Sequence, residues 1–538
     1  MEAQDSTAGL SPAMRKTAVF LLGGIGMLIL GAAVQPRFKG RKVEPQEERV
    51  LFPELSNAAK AASLEIVKYD EGLATLAPFK VVQSGGVWVL PAHQNYPADA
   101  KDHLAAAATE LVDLKALDVV STSPADHETF GVIEPDPEKI KPGMTGIGEL
   151  VEVRDAAGTK LARLVIGKED KRPAGGMPAA GRTLRFVRKA GQDPVYRIEI
   201  DTSKFTTRFD DWIEKDLLKL SPWDVRRLVL DDYALGAVES GGRIMVEQNR
   251  KNRIELAYDD KDAKWSLVKL EAFAGGKTPK EEKLTGDQEL AAGKLNDLRN
   301  ALGDLKIVDV ARKPAGLSAE LKAEEKFAGD REAVASMQQR GFLPLKSGEI
   351  LSTDGETIVG MKDGVEYVLR FGAGTTVAGE GKKEGAEPGE DDSGETAGRY
   401  LLAMARFNES LLEKPKLEPV PEAPEEKKAE SDAKDKVKDD DKAKQDGVAA
   451  EKLKEAEEAE AKAQAALEEK RRVERENRRK QDDYDEKVQA AQKRVRELNN
   501  RFADWYYVVS NKEYAKIHLT RDGIVQKKEA EPKEPQPQ

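Results

Sequence analysis

The sequence predicts an α+β protein: two related antiparallel sheet-plus-helix domains after one N-terminal transmembrane helix, with a long helical coiled-coil insertion in the second. Three observations carry that prediction. Short β-rich runs bounded by Gly, Asp, Asn and Pro turns recur around single helical segments. A phrase at 113–119 returns at 304–310 with five of seven residues shared, and a Trp-bearing strand precedes each copy. One early run, 17–34, is free of charge over eighteen positions.

Composition bounds the rest. The 538 residues allow two or three domains. Charged residues make up 34% against 5 Trp, 11 Tyr and 14 Phe, so some segments have no core of their own. The net charge of −11 disfavours a phosphate-backbone binder, and nucleic acid is not an expected partner. The absence of Cys removes disulfides, thiolate nucleophiles, iron–sulfur clusters and cysteine zinc sites.

A tail, 1–16, leads into the apolar run 17–34, which as a helix spans about 27 Å, close to the hydrocarbon thickness. It is longer than the apolar part of a cleaved signal peptide, and its exit, 32–36, is a poor cleavage site, so it reads as a retained inner-membrane anchor. Arg15 and Lys16 precede it and Arg37, Lys39, Arg41 and Lys42 follow, a balance that by itself keeps the body cytoplasmic.

After a linker, 35–49, the first domain is expected over 50–235. Strands are predicted at 62–69, 73–82, 87–90, 150–154, 161–166, 184–188 and 195–200, with a helix at 98–117 whose Leu104, Ala108, Leu111 and Leu114 share a face. The second domain begins at 236–412, with strands at 348–352, 357–362, 366–371 and 399–407. Trp88 and Trp265 read as core residues under their sheets. The 191-residue offset of the repeated phrase is far beyond a solenoid period and indicates a duplicated domain.

The second copy is interrupted. Residues 413–448 are charged and Pro-rich and are expected to be disordered. Residues 449–502 lack Gly and Pro and read as one long helix. Final strands are predicted over 503–525, at 505–510 and 513–519, before a disordered tail, 526–538.

Within the long helix, Tyr484, Val488, Ala491, Val495, Leu498 and Phe502 follow the 4, 3, 4, 3, 4 spacing of a coiled-coil seam. These are the candidate partner-binding residues. Another protein, a second copy of the chain and the chain's own domain are all open as the surface they meet. The basic stretch 470–480 is interspersed with Glu474 and Glu476 and reads as a solvated face.

No chemistry is signalled elsewhere. His93, His103, His127 and His518 share no metal-ligand spacing. The glycines of 372–377 lack the third glycine of a dinucleotide turn, and 379–383 lacks the first glycine and terminal hydroxyl of a phosphate loop. The acidic loop 390–395 lacks the alternating ligands of a calcium loop. No catalytic, cofactor-binding or metal residue is assigned, and no cofactor is expected.

Several phrases together resemble the domain of unknown function 4340 family: Phe130-Gly131-Val132-Ile133-Glu134-Pro135, Ile166-Gly167, Val195-Tyr196-Arg197-Ile198 and the segment 212–233. Arg340-Gly341-Phe342, 367–372, Arg399-Tyr400-Leu401-Leu402 and 498–509 resemble the long, planctomycete-type members. The resemblance runs from about residue 50 to 525. It implies a body outside the inner membrane, hence periplasmic, on one N-terminal helix, and genes beside those for gliding-motility-type ABC transporter permeases. No catalytic residues are established for that family. The expectation is a non-catalytic accessory or scaffold subunit whose partners are permease components. Two alternatives stand beside it: a ligand-binding module with 221–258 lining an interdomain site, and an enzyme with a carboxylate-only site.

Overall fold

The computed structural model describes residues 27, 49–72, 74–171, 182–240, 243–275, 278–318, 321–323, 327–345, 347–378, 395–422 and 446–528. The predicted membrane segment 17–34 lies outside them, Met27 excepted. So do 379–394, with the phosphate-loop-like and acidic stretches, and 423–445 of the charged linker. Among the described residues no helix is long and apolar enough to cross a membrane.

The protein is α+β and built on two nine-stranded antiparallel sheets. The first contains β1 (Ser63–Asp70), β2 (Thr75–Ser84), β3 (Val87–Leu90), β4 (Tyr96–Pro97), β5 (Asp118–Ser121), β6 (Glu149–Arg154), β7 (Lys160–Glu169), β8 (Thr183–Lys189) and β9 (Val195–Ile200). The second contains β10 (Val225–Ser240), β11 (Arg243–Asp259), β12 (Lys264–Ala274), β13 (Thr278–Glu281), β14 (Asp309–Arg312), β15 (Glu356–Met361), β16 (Val365–Ala378), β17 (Glu395–Phe407) and β18 (Trp505–Ser510). In space the first runs β4-β3-β2-β1-β6-β7-β8-β9-β5, and the second β13-β12-β11-β10-β15-β16-β17-β18-β14. Adding nine to each label of the first reproduces the second. The repeated sequence phrase ends in β5 and β14, the edge strands that cross to the far side of their sheets.

Helices occupy matching places as well. Helix α1 (Lys101–Leu111) lies between β4 and β5 and α2 (His127–Phe130) between β5 and β6. Helix α3 (Ala292–Gly303) and α4 (Arg331–Gln339) take the same positions in the second half. Helix α1 is shorter than predicted, because Val112 is already extended and Asp113 is left-handed at φ +51°. The hairpin between β8 and β9 needs only 190–194; between β17 and β18 the equivalent connection holds α5 (Asp446–Phe502), a helix of 57 residues.

One hydrophobic core serves both sheets. Leu104, Ala107 and Leu111 of α1, Leu295, Leu298 and Leu302 of α3, and Phe205, Trp212, Leu217 and Leu218 of the connecting segment belong to the same cluster. Trp212 is fully buried and donates its indole N–H to the Thr206 carbonyl at 3.0 Å. The sheets also meet directly: His93 Nδ1 lies 3.0 Å from Asp309 Oδ1, the Arg312 N–H donates to Gln94 Oε1 at 2.5 Å, and Tyr96 meets Trp505 edge-on at 4.9 Å.

On each outer face a short helix ends in the same device. Gly131 (φ +71°) and Gly341 (φ +80°) turn the chain left-handed just after α2 and α4. Val132 and Phe342 then plug small clusters against Val165 and Phe186, and against Leu402 and Tyr506. The backbone just before each turn glycine presses on a glycine in the matching strand. A Cβ at Gly167 would strike the Phe130 carbonyl, and one at Gly372 the Arg340 carbonyl. Gly372 thus belongs to strand packing, not to a nucleotide turn.

Several expectations are corrected. Residues 225–235 belong to the second sheet, since β10 pairs with both β11 and β15, so the boundary falls before Val225 rather than after 235. Most of the stretch 221–258 forms β10 and β11 inside the second sheet, after a 3-10 turn at Pro222–Asp224. Residues 513–519 are not a strand. Helix α6 (Asn511–Ile517) starts there because the Ser510 hydroxyl accepts the Glu513 N–H at 3.2 Å. The start of the expected disordered tail pairs with the body, through a ladder of Val525–Lys527 on Gln288–Leu290.

Candidate functional site

Buried carboxylates are the first place to look for chemistry, and arginines hold them. Glu366 on β16 is fully buried and meets Arg227 Nη1 at 2.8 Å, Asn408 Nδ2 at 3.0 Å and the Arg406 guanidinium. Asp231 on β10 meets Arg250 and Arg253, each at 2.7 Å; burial raises its pKa and the two guanidinium groups pull it back. Glu152 on β6 meets Arg163 at 2.8 Å as well as Arg154. These ladders cross the outer faces of the sheets, where a charged group needs a partner to lose its water.

The histidines are dispersed. His93 packs on Phe209 with ring centroids 4.1 Å apart, His103 lies against Trp212, and His127 Nε2 meets the Asp193 carbonyl at 2.9 Å. His518 stacks on Tyr514, and burial lowers its pKa. Among the described residues no group of three metal-ligating side chains occurs.

The predicted seam on α5 faces the protein's own body. Ala491, Leu498 and Phe502 are buried in the common core, and Val495 packs at its margin. Val488 is half-buried, and the Tyr484 hydroxyl donates to Glu409 at 2.9 Å. Within the chain the surface these residues meet is the second sheet, in helix-on-sheet packing. The sheet was the physically cheaper partner: it is covalently close, and β17 offers an edge that β18 leaves uncovered beyond Leu401.

Residues 414–422, expected to be disordered, run beside the same helix. Asn477 accepts the Glu418 N–H at 2.8 Å and donates to its carbonyl at 2.7 Å, while Lys480 reaches the Glu418 carboxylate at 3.0 Å. Val473 is buried on the same side of α5. From Glu457 to Arg472 the helix is mostly exposed, and the shallow depression along 465–478 is lined by this one helix.

One arrangement escaped the sequence reading. Arg299 of α3 is 5% exposed, and its guanidinium lies over two rings, 4.5 Å from the Tyr258 centroid and 5.1 Å from that of Trp223. Trp223 is 70% exposed. Behind Tyr258 stands Trp265, centroids 5.0 Å apart, its indole N–H donated to Asn296 Oδ1 at 3.1 Å. The available signal was Trp223 itself, a large ring in the otherwise polar turn Ser221-Pro222-Trp223-Asp224.

Comparison with known proteins identifies one segment. The family model described as Domain of unknown function (DUF4340) matches residues 88–325, from β3 to just before α4. The matched stretch contains Phe130-Gly131-Val132, Ile166-Gly167 and 212–233; the later phrases from Arg340 onward lie beyond it. No curated protein matches the chain, and no solved structure matches it.

Proposed function

We propose, from the premise that residues 88–325 carry the DUF4340 pattern, that the protein is a non-catalytic, membrane-anchored accessory or scaffold subunit of the bacterial envelope. In this reading the segment 17–34 anchors it in the inner membrane, the body is periplasmic, and its partners are permease components of an ABC transporter of the gliding-motility type. The observation that supports the reading is the asymmetry of α5. Its C-terminal half is sutured to the second sheet through Asn499, Leu498 and Phe502, while the stretch up to Arg472 projects as a charged arm. A rigid helix held at one end reaches about 40 Å beyond its mount over 27 residues, a geometry suited to holding a second protein at a set distance.

Co-purification from native membranes tests it. Deleting 448–469 shortens the arm and leaves the docked half in place, so permease components that accompany the intact chain should be lost. Equal recovery with and without the arm would remove the arm from the binding surface. Proximity labelling from the body that marks only cytoplasmic proteins would overturn the placement.

A further inference from the structure

Helix α5 sorts a mixed run of charges into separate faces. Between Lys470 and Lys480 the chain interleaves seven basic residues with Glu474 and Glu476. At about 100° per helical residue, Arg471, Arg472, Arg475, Arg478 and Arg479 fall within a wedge of about 120°, and the two glutamates fall outside it, one on each flank. The helix cannot turn to hide this wedge. Val473 is buried on the opposite side, where Asn477 and Lys480 hold Glu418. All five arginines are exposed, and Arg471, Arg472, Arg475 and Arg478 border the shallow depression along the helix.

Little in the chain neutralises this face. Glu469 takes Arg472 through two bonds, at 3.0 and 2.6 Å, and Asp483 stands 4.0 Å from Arg479. Arg475 donates from Nε to the Arg471 carbonyl at 3.2 Å, and among the described residues no carboxylate pairs with Arg475 or Arg478. The residue type is uniform as well: every basic side chain in the wedge is Arg, while Lys470 and Lys480 lie outside it. A guanidinium presents a planar fork that matches a carboxylate, where an ammonium group offers only a point charge.

We infer that this arginine face docks a short acidic segment of a partner protein, held in extended conformation. From Arg471 to Arg479 the face is about 12 Å long. Alternate residues of an extended chain point the same way and repeat every ~6.8 Å, so about five residues with Asp or Glu at the first, third and fifth places lay three carboxylates along it. The borders of the face favour a strip over a plane. Glu468 and Glu469 stand at one end, Asp482 and Asp483 at the other, and Glu474 and Glu476 along the sides. A narrow acidic strip avoids these charges, whereas a flat sheet of anionic headgroups, wider than the face, is repelled by them. This docking goes beyond the scaffold reading: the face survives deletion of 448–469, so the two fail separately.

Fluorescence anisotropy of labelled hexaglutamate, with the full-length chain in neutral detergent, tests it. Hexaglutamate should bind saturably and hexaglutamine should not, and raising salt from about 50 to about 500 mM should weaken the binding about tenfold or more. Arg475→Glu with Arg478→Glu should weaken it about tenfold or more, as two exposed pairs are lost and two repulsions added. Lys462→Glu with Lys493→Glu makes the same change in net charge at exposed positions away from the face, and should alter it less than about twofold. Should the reversed arginine pair fail to fold, Arg475→Gln with Arg478→Gln gives the same reading at about threefold or more. Absence of hexaglutamate binding overturns the docking. So does equal affinity in the arginine variants, or an equal loss in the lysine pair. Displacement of hexaglutamate by an equal concentration of short-chain phosphatidylglycerol or of inorganic phosphate assigns the face to a phosphate ligand and overturns it too.

Discussion

Asn477 and Asn499 stand 22 positions apart on one face of α5, and each grips both polar groups of a backbone unit running past it. Asn499 accepts the Ala405 N–H and donates to its carbonyl, both at 2.8 Å; Asn477 does the same at Glu418, at 2.8 and 2.7 Å. Twenty-two helical residues rise about 33 Å. The thirteen residue steps from Ala405 to Glu418 reach further than that when extended, and a 3-10 turn at Glu409–Leu411 takes up the difference. Asn499 supplies β17 with the hydrogen bonds a neighbouring strand would give, where β18 has ended.

The two clamps differ in burial, so their removal should differ in cost. Asn499→Ala leaves a buried N–H and carbonyl unpaired and should destabilise by about 2 to 4 kcal/mol, whereas Asn477→Ala, at an exposed site, should cost under about 1 kcal/mol. Urea unfolding of the two variants beside the parent checks this, and equal midpoints would contradict it.

Because the seam packs inward, substitutions in it should act on stability before they act on any partner. Leu498→Ala should cost about 2 to 5 kcal/mol. A variant with unaltered stability that nevertheless loses a co-purifying protein would return the seam to the outer surface.

The matched glycines under α2 and α4 predict parallel effects in the two halves. Gly167→Ala and Gly372→Ala each drive a Cβ into a backbone carbonyl and should destabilise by about 3 kcal/mol or more. Gly236→Ala on β10 meets nothing closer than 3.9 Å and should be neutral or slightly stabilising. Thermal unfolding midpoints separate these outcomes.

Lys313 yields a pH dependence. It is buried, donates to the Phe502 carbonyl at the end of α5 at 3.0 Å, and desolvation lowers its pKa from 10.5 to about 7. Between those values the unfolded chain binds a proton that the folded chain lacks, so this residue makes stability rise as pH climbs from about 7 toward 10. Below pH 7 both states carry the charge, and the folded one bears the full cost of burying it. Lys313→Met should flatten the slope in that window; an unchanged difference between pH 7 and 10 would refute the assignment.

Much of the fold was readable from local pattern. The strands of the first half follow alternation between turn residues, and the repeated phrase led to β5 and β14. Other features needed distant partners. The stretch 513–519 has the pattern of a strand, and only the Ser510 cap makes Asn511–Ile517 a helix. Phe130-Gly131-Val132 and Arg340-Gly341-Phe342 read as unrelated phrases, since their kinship lies in Gly167 and Gly372, which sit beneath them only after folding. Arg299 gave no signal, because a lone Arg on a helix is unremarkable until two rings from other elements close on it.

By itself the sequence determined the class of protein, the duplication, the long helix and the spacing of its seam, all set by periodicity and composition within short windows. Tertiary structure alone decided what that seam meets, which strands the boundary divides, and which rings the Arg299 guanidinium lies over. The division is physical: secondary structure follows from neighbours in the chain, whereas burial and pairing depend on which remote surfaces arrive together and exclude water.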